Sequence, residues 1–151
     1  MTLTIAPMEG VVDIYMRDIL TRIGGFDLCV SEFVRVSQNV HPAATFHKFC
    51  PELLWGGRTA AGVPVHVQLM GGDPTLLAEN AEFVASLGAL GIDLNFGCPA
   101  KTVNRHDAGA TLLQWPTRLN DIVAAVRRAV PDTIPVSAKI RLGFADKTLC
   151  L

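Results

Sequence analysis

The amino-acid sequence predicts an α/β fold in which helices separate parallel strands. Short apolar runs alternate along the chain with longer stretches whose apolar residues recur at helical spacing. Parallel strands need such a crossover between them. The chain has 151 residues, 50% of them hydrophobic, and a formal net charge of −1. These values exclude an intrinsically disordered chain and a polycation that binds nucleic acid through its overall field.

Five short apolar runs are predicted to form the strands. The clearest of them, V-P-V-H-V-Q-L-M, alternates apolar and polar residues and ends at Gly71 and Gly72. The predicted strands cover residues 3–6, 28–33, 63–70, 92–96 and 136–142.

Three helices are predicted between these strands, over residues 11–23, 74–88 and 119–130. The second has a strong start signal, because Asp73 can cap it and Pro74 suits its first position. The stretch between the second and third strands has no clear period and is expected to be irregular. The first helix has apolar residues at helical spacing: Val12, Tyr15, Met16, Ile19, Leu20 and Ile23.

Two architectures have this order of elements, an open doubly wound sheet and a β/α barrel. No G-x-G-x-x-G motif follows the first strand, so the dinucleotide-binding signature of a doubly wound sheet is missing. Polar, chemically capable residues instead lie at the carboxyl ends of several strands, where a barrel gathers its active site. The residues that favour the barrel in this way are Met8, Glu9, Glu32, Gln68, Asn95, Cys98, Lys139 and Arg141.

A complete TIM-type barrel has eight strands and about 250 residues. This sequence offers five predicted strands. We therefore expect residues 1–151 to be the truncated amino-terminal part of such a barrel, about five β/α units. The alternative is a compact five-stranded domain.

Chemically capable residues are densest at the end of the fourth predicted strand. Cys98 stands between Gly97, which lets the backbone approach a ligand closely, and Pro99, which stiffens the loop. Lys101 and Arg105 follow in the same loop. Nearby cations lower the pKa of a thiol and burial raises it, and the sequence leaves that balance open. The alternative for Cys98 is a small buried apolar residue.

Lys139 and Arg141 lie on the same face of the fifth predicted strand, because side chains alternate along a strand. Two cations that face a barrel lumen indicate an anionic ligand, whereas a strand edge in solvent would need none. Gln68 shares a face with His66, and both could equally be hydrogen-bonded polar groups of the core. Arg17 is expected to be solvated.

Other segments argue against several classes of protein. The histidines have no metal-ligand spacing, so no metal is assigned. No run reaches the roughly 20 apolar residues that a membrane helix needs. The first residues lack the basic start of an export signal, and the four cysteines form no C-x-x-C pair. These features favour a cytoplasmic protein that interacts with no membrane.

Five segments resemble the tRNA-dihydrouridine synthases, particularly the bacterial branch that acts on position sixteen of the tRNA D-loop. They are A-P-M-E-G at 6–10, S-E-F-V-R at 31–35, V-Q-L-M-G at 67–71, D-L-N-F-G-C-P at 93–99 and A-K-I-R-L-G at 138–143. The resemblance implies an FMN-binding barrel followed by a helical tRNA-binding domain. Residues 1–151 would then be part of the barrel, without its remaining strands and without that domain.

The resemblance also implies roles for individual residues. Pro7, Met8 and Glu9 would line the flavin, Gln68 would hydrogen-bond its ring, and Lys139 would lie by its electron-accepting edge. Cys98 would be the catalytic proton donor. The residues expected to contact tRNA are Arg35, Asn95, Lys101, Arg105 and Arg141.

The implied reaction reduces a uridine of tRNA to 5,6-dihydrouridine. NADPH would reduce the FMN, the reduced flavin would pass a hydride to the uracil ring, and Cys98 would supply the proton. We expect the 151-residue chain alone to be inactive. The alternatives are a small-molecule flavin oxidoreductase, of the dihydroorotate dehydrogenase or ene-reductase kind, and a non-catalytic RNA-binding remnant.

Overall fold

The strands form one parallel sheet in the computed structural model, which describes residues 2–99 and 108–144. Every strand pairing in it is parallel. The order across the sheet is β1-β2-β4-β5-β6, and β3 pairs with β4 as well. The strands are β1 (Thr4–Ile5), β2 (Leu28–Val30), β3 (Val34–Arg35), β4 (Val65–Met70), β5 (Ile92–Phe96) and β6 (Val136–Ile140).

The sequential strand order distinguishes the two architectures that the sequence allowed. In a doubly wound sheet the strand order reverses at a switch point, whereas in a barrel each strand lies beside the next along the chain. Here each new strand is added on the same side of the sheet. The fold is a parallel-strand half barrel with alternating helices, and this confirms the predicted fold class.

The second predicted strand was wrong in its extent. Only its first half forms a strand, β2; residues 31–33 lie outside any strand, and β3 follows where no strand was predicted. Val30 pairs with His66 of β4 and Val34 pairs with Leu69, so four steps along one chain match three along the other. The segment from β2 to β3 therefore holds one extra residue, as a β-bulge does.

The helices follow the predicted pattern, with one additional α-helix and two 3-10 helices. Asp13 accepts a hydrogen bond from the backbone of Met16 at 2.9 Å, and Asp73 accepts one from Leu76 at 2.8 Å, so each caps its helix. A helix, α2, also forms in the stretch that was expected to be irregular. The helices are α1 (Ile14–Ile23), α2 (Ala43–Phe49), α3 (Pro74–Ser86) and α4 (Pro116–Ala129), with 3-10 helices over Pro51–Trp55 and Gly109–Gln114.

The core lies between the central strands and the helices. All residues of β4 and β5 are buried. Because side chains alternate along a strand, one face of each is apolar and packs in the core, and the other carries polar groups. Those buried polar residues are His66, Gln68, Asp93 and Asn95.

Arg17 contradicts the expectation that it is solvated, because its side chain is fully buried. Its Nε and Nη2 atoms donate to both carboxylate oxygens of Glu52, at 2.8 and 2.9 Å. It also donates to the backbone oxygens of Val12 and Phe49. The sequence pattern missed this residue because its partner lies in a short 3-10 helix that the pattern did not predict.

Candidate active site

A cavity of about 190 Å³ opens at the carboxyl ends of the strands. Residues from β4, β5, β6 and the segment after β1 line it, because the carboxyl ends of parallel strands meet at one edge of a sheet. Phe33, Gly97 and Pro99 complete the lining. The predicted site residues that the structure brings together here are Pro7, Glu9, Gln68, Asn95, Cys98 and Lys139.

Gln68 is held from three sides. Its backbone N–H donates to the hydroxyl of Ser31 at 3.1 Å. Its side-chain Nε2 donates to Asp93 at 2.6 Å, and its Oε1 accepts from Nδ2 of Asn95 at 2.9 Å. Gln68 is fully buried and also lines the cavity, so it is both a hydrogen-bonded polar group of the core and a cavity residue. Its predicted contact with a flavin ring stays a prediction.

Asn95 connects β5 to the loop that carries the thiol. Its Oδ1 accepts hydrogen bonds from the backbone N–H groups of Gly97 and Cys98, at 3.0 and 2.9 Å. The side chain of Cys98 is half-buried and packs beside Met70 and Phe33. Asn95 thus fixes the backbone from which the thiol projects into the cavity.

Lys139 of β6 and Arg141, which follows the last residue of β6, lie on the same side, as the alternation predicted. Lys139 pairs with Asn95 of β5 and is exposed. A Cβ atom added at Gly97 would lie 3.8 Å from Nζ of Lys139 and 3.4 Å from Cγ of Arg141. Both distances are ordinary van der Waals contacts, so the two cationic side chains lie directly beside the thiol loop at Gly97. Arg141 does not line the cavity.

The segment after β1 reaches the cavity through two of its three predicted residues. Pro7 and Glu9 line the cavity, whereas Met8 is exposed and does not. Glu32 holds this segment in place, because its Oε1 accepts the N–H of Gly10 at 2.6 Å. The expected flavin-lining role of Met8 has no support in this placement.

The predicted tRNA contacts are spread more widely than the cavity. Arg35 ends β3, beside Met70 at the end of β4, and does not line the cavity. Its backbone oxygen is hydrogen-bonded to Nε2 of His41 at 2.7 Å. Lys101 and Arg105 lie outside the described residues.

Asp93, which is buried, and Ser137, which is exposed, support the cavity residues and were missed by the sequence analysis. Asp93 is 5% exposed and accepts a hydrogen bond from Oγ of Ser137 at 2.6 Å in addition to the one from Gln68. A signal was available, because Asp93 is a charged residue in an apolar strand and lies two positions before Asn95, on the same face. Ser137 had no such signal.

The other buried thiols differ from Cys98 in their surroundings. Burial raises the pKa of Cys29 to about 11 and, together with the charge of Glu52, raises the pKa of Cys50 to about 12. Both side chains are fully buried. Among the described cysteines, Cys98 is thus the one that solvent and a ligand can reach.

The described part of the chain contains neither a metal-binding cluster nor a membrane-spanning helix. Residues 2–99 and 108–144 hold no group of three or more His, Cys, Asp or Glu side chains arranged to bind a metal ion. No helix in those ranges combines the length and the apolar character required to cross a bilayer.

The family model and the similar proteins point to the same family. The family model described as dihydrouridine synthase (Dus) matches residues 4–150. A tRNA-dihydrouridine(16) synthase from Aquipseudomonas alcaligenes is 60% identical over 147 residues, which cover 97% of this chain and 47% of the relative. The corresponding protein of Pseudomonas putida is 60% identical over 144 residues, covering 95% and 45%. That of Vibrio parahaemolyticus is 57% identical over 150 residues, covering 99% and 47%.

The chain spans about half the length of these curated relatives. The family match, by contrast, extends over nearly all of the chain and includes the segment with Asn95 and Cys98. The chain belongs to the dihydrouridine synthase family.

Proposed function

We propose that this chain carries the catalytic cavity of a tRNA-dihydrouridine synthase that reduces a uridine to 5,6-dihydrouridine, with FMN as cofactor and NADPH as reductant. The observation that carries the proposal is the meeting of Gln68, Asn95, Cys98 and Lys139, from three strands and a loop, in one cavity. The family match supports the reaction. It also disfavours the alternative of a small-molecule flavin oxidoreductase.

The chemistry of the cavity lining fits FMN. An isoalloxazine ring carries carbonyl oxygens and ring nitrogens that accept hydrogen bonds, and Gln68 and Asn95 supply amide donors in the cavity. Lys139 adds a positive charge, which would stabilise an anionic reduced flavin. Pro7 would contact the ring through its apolar surface. When bound, reduced FMN would supply the hydride, and NADPH would then reduce the oxidised flavin again.

Cys98 would donate the proton that completes the reduction. Its thiol shares the cavity with Lys139 and Gln68, so a substrate ring in this space lies within reach of all three. The hydrogen bonds that the N–H groups of Gly97 and Cys98 donate to Asn95 hold the backbone that carries the thiol. A uridine must leave its base stack to enter such a cavity.

The substrate would be tRNA, with position sixteen as the target because three relatives carry that number in their names. Arg35 and Arg141 lie beyond the cavity at the same edge of the sheet and would contact the RNA backbone. Lys101 and Arg105 would add to this positive surface.

We propose further that the 151-residue chain alone binds FMN weakly and does not reduce tRNA. Barrels commonly bind the phosphate of such a ligand with loops after their seventh and eighth strands. The described residues supply the strands of about five units.

The test is a chimaera that joins this chain to the unmatched remainder of the Aquipseudomonas relative. With FMN and NADPH, it should form dihydrouridine in tRNA, measured by mass spectrometry of digested tRNA. Cys98→Ala should lower turnover by about 100-fold or more while FMN and tRNA binding persist, because general acid catalysis contributes about that much. The 151-residue chain alone serves as the comparison.

Two outcomes would overturn the proposal. One is full turnover of the Cys98→Ala chimaera. The other is reduction of free pyrimidines or enones in place of tRNA, which would support a small-molecule oxidoreductase. A chimaera that binds tRNA and FMN but never turns over would indicate an RNA-binding remnant.

A further inference from the structure

A continuous series of hydrogen bonds runs from β6 to the thiol loop and includes two residues that line the cavity, Gln68 and Asn95. Ser137 donates to Oδ1 of Asp93, and Gln68 donates to Oδ2 of Asp93, each at 2.6 Å. Asn95 donates to Gln68 at 2.9 Å and accepts from the loop backbone. Gln68, Asp93 and Asn95 are 0%, 5% and 8% exposed, so water cannot easily replace their partners.

The two ends of this series determine its direction. At one end a carboxylate offers only acceptors, so Gln68 must turn its amide nitrogen toward Asp93. At the other end the backbone N–H groups of Gly97 and Cys98 are donors, so Asn95 must turn its oxygen toward them. Between these ends the two amides align head to tail, with Oε1 of Gln68 facing Nδ2 of Asn95.

We propose that Asp93 is a positioning residue that fixes the direction of both amides and, through them, the backbone at Cys98. Asp93 does not line the cavity and reaches the thiol loop only through two intervening side chains. In functional terms the inference rests on the proposed function, since it assumes that this cavity is the active site.

The direction set by Asp93 also selects the ligand chemistry of the cavity. Both amide oxygens accept bonds within the series, whereas each amide nitrogen has two protons and gives one to it. The wall therefore offers Gln68 and Asn95 to a ligand as N–H donors, beside the ammonium of Lys139. The ligands that fit are planar rings whose edge carries carbonyl oxygens or unprotonated nitrogens. With the amides reversed, the wall would offer carbonyl groups instead.

The direct test is hydrogen exchange of backbone amides in the 151-residue chain, measured by NMR. Asp93→Leu should speed exchange at Gly97 and Cys98 by about tenfold, because it leaves the amide nitrogen of Gln68 without a buried acceptor. Asp93→Asn, which keeps one oxygen for Gln68, should preserve most of the protection. Ser137→Ala removes a partner of Asp93 but leaves the direction unchanged, and should have little effect.

The amides of Val67 and Leu69 in β4 provide the reference, since both residues are buried and neither side chain belongs to the series. A merely structural role of Asp93 would speed exchange at these amides as much as at the loop. Equal effects at β4 and the loop, or no effect at Gly97 and Cys98, would overturn the proposal. If Asp93→Leu does not fold, Gln68→Met interrupts the series at its centre and should give the same pattern.

A second readout is the rate at which iodoacetamide alkylates Cys98 at about pH 8, in a Cys150→Ser background. Loosening of the loop by Asp93→Leu should raise this rate about fivefold, whereas the buried Cys29 and Cys50 should stay unreactive. Alkylation at an unchanged rate would contradict the proposal. Neither readout needs a flavin or tRNA, so its outcome is independent of whether the chimaera reduces tRNA.

Discussion

Helices α1 and α3 are both amphipathic by sequence, and they bury opposite kinds of residue. Helix α3 buries Leu77, Ala81 and Val84 together with the amide of Asn80. Helix α1 buries Arg17 and Thr21. Its apolar residues Tyr15, Ile19 and Ile23 are exposed, and Ile23 reaches 76%.

The difference follows from the neighbours of each helix. Helix α3 lies at the centre of the half barrel, between β4 and β5 in the chain, and packs against α4. Helix α1 follows β1, the terminal strand of the described sheet, and is attached through Arg17 to the 3-10 helix at Pro51–Trp55. An apolar period thus predicts a helix correctly, while the surroundings decide which of its faces is buried.

The largest effect should come from breaking the polar anchor of α1. Arg17→Met should lower the free energy of unfolding by about 4 kcal/mol, because it leaves the carboxylate of Glu52 buried without its partner. Urea unfolding monitored by circular dichroism would measure it. The double variant Arg17→Met with Glu52→Leu removes both charges and should recover most of the loss. A single variant as stable as the parent would show that the pair does not anchor α1.

A matched pair of truncations compares the two helices directly. Leu77→Ala in α3 should cost about 3 kcal/mol, as expected for a fully buried leucine. Ile19→Ala in α1, where the side chain is 55% exposed, should change the free energy of unfolding by less than about 0.5 kcal/mol. Comparable losses at the two positions would mean that α1 buries its apolar face in solution.

Gly91→Ala, just before β5, tests how tightly the buried polar face of β4 and β5 is packed. A Cβ atom at Gly91 would overlap the ring of His66, so we expect a loss of about 2 kcal/mol in urea unfolding. Adding His66→Ala should relieve the overlap and make the two effects non-additive. Simple additivity would show that the ring moves aside without cost.

The smallest effect should be a pH dependence that arises at His66. Burial, partly opposed by the charge of Asp93, lowers the pKa of His66 below its ordinary value. Below a pH of about 6.5 the unfolded chain binds a proton at this residue that the native chain does not. The free energy of unfolding therefore decreases as the pH is lowered through this range, and above it His66 causes no loss. Urea unfolding at several pH values should show a shallower fall in His66→Asn. Identical profiles would contradict this origin.

The sequence predicted five of the six described strands, three helices and most of the cavity because each depends on local pattern. Alternation placed Lys139 of β6 and Arg141, just after it, on one side, and a strand-end position placed Asn95 and Cys98 at the cavity. The burial of Arg17 could not be predicted in this way, because it depends on a residue 35 positions along the chain. Helix α2 was missed because its seven residues follow Pro42 without a side-chain cap, so neither length nor capping marked it.

The extra residue between β2 and β3 has a consequence for how much sequence change this wall tolerates. A regular strand there would offer the main chain of β4 a carbonyl partner, whereas here the hydroxyl of Ser31 accepts the N–H of Gln68. Deleting one residue at this point would make the pairing regular and would replace the hydroxyl of Ser31 by a main-chain carbonyl as the partner of Gln68. A change of length here would therefore disturb the main chain at Gln68 more than a substitution would, and under the proposed function the extra residue orients Gln68 in advance, which would lower the entropy lost on binding.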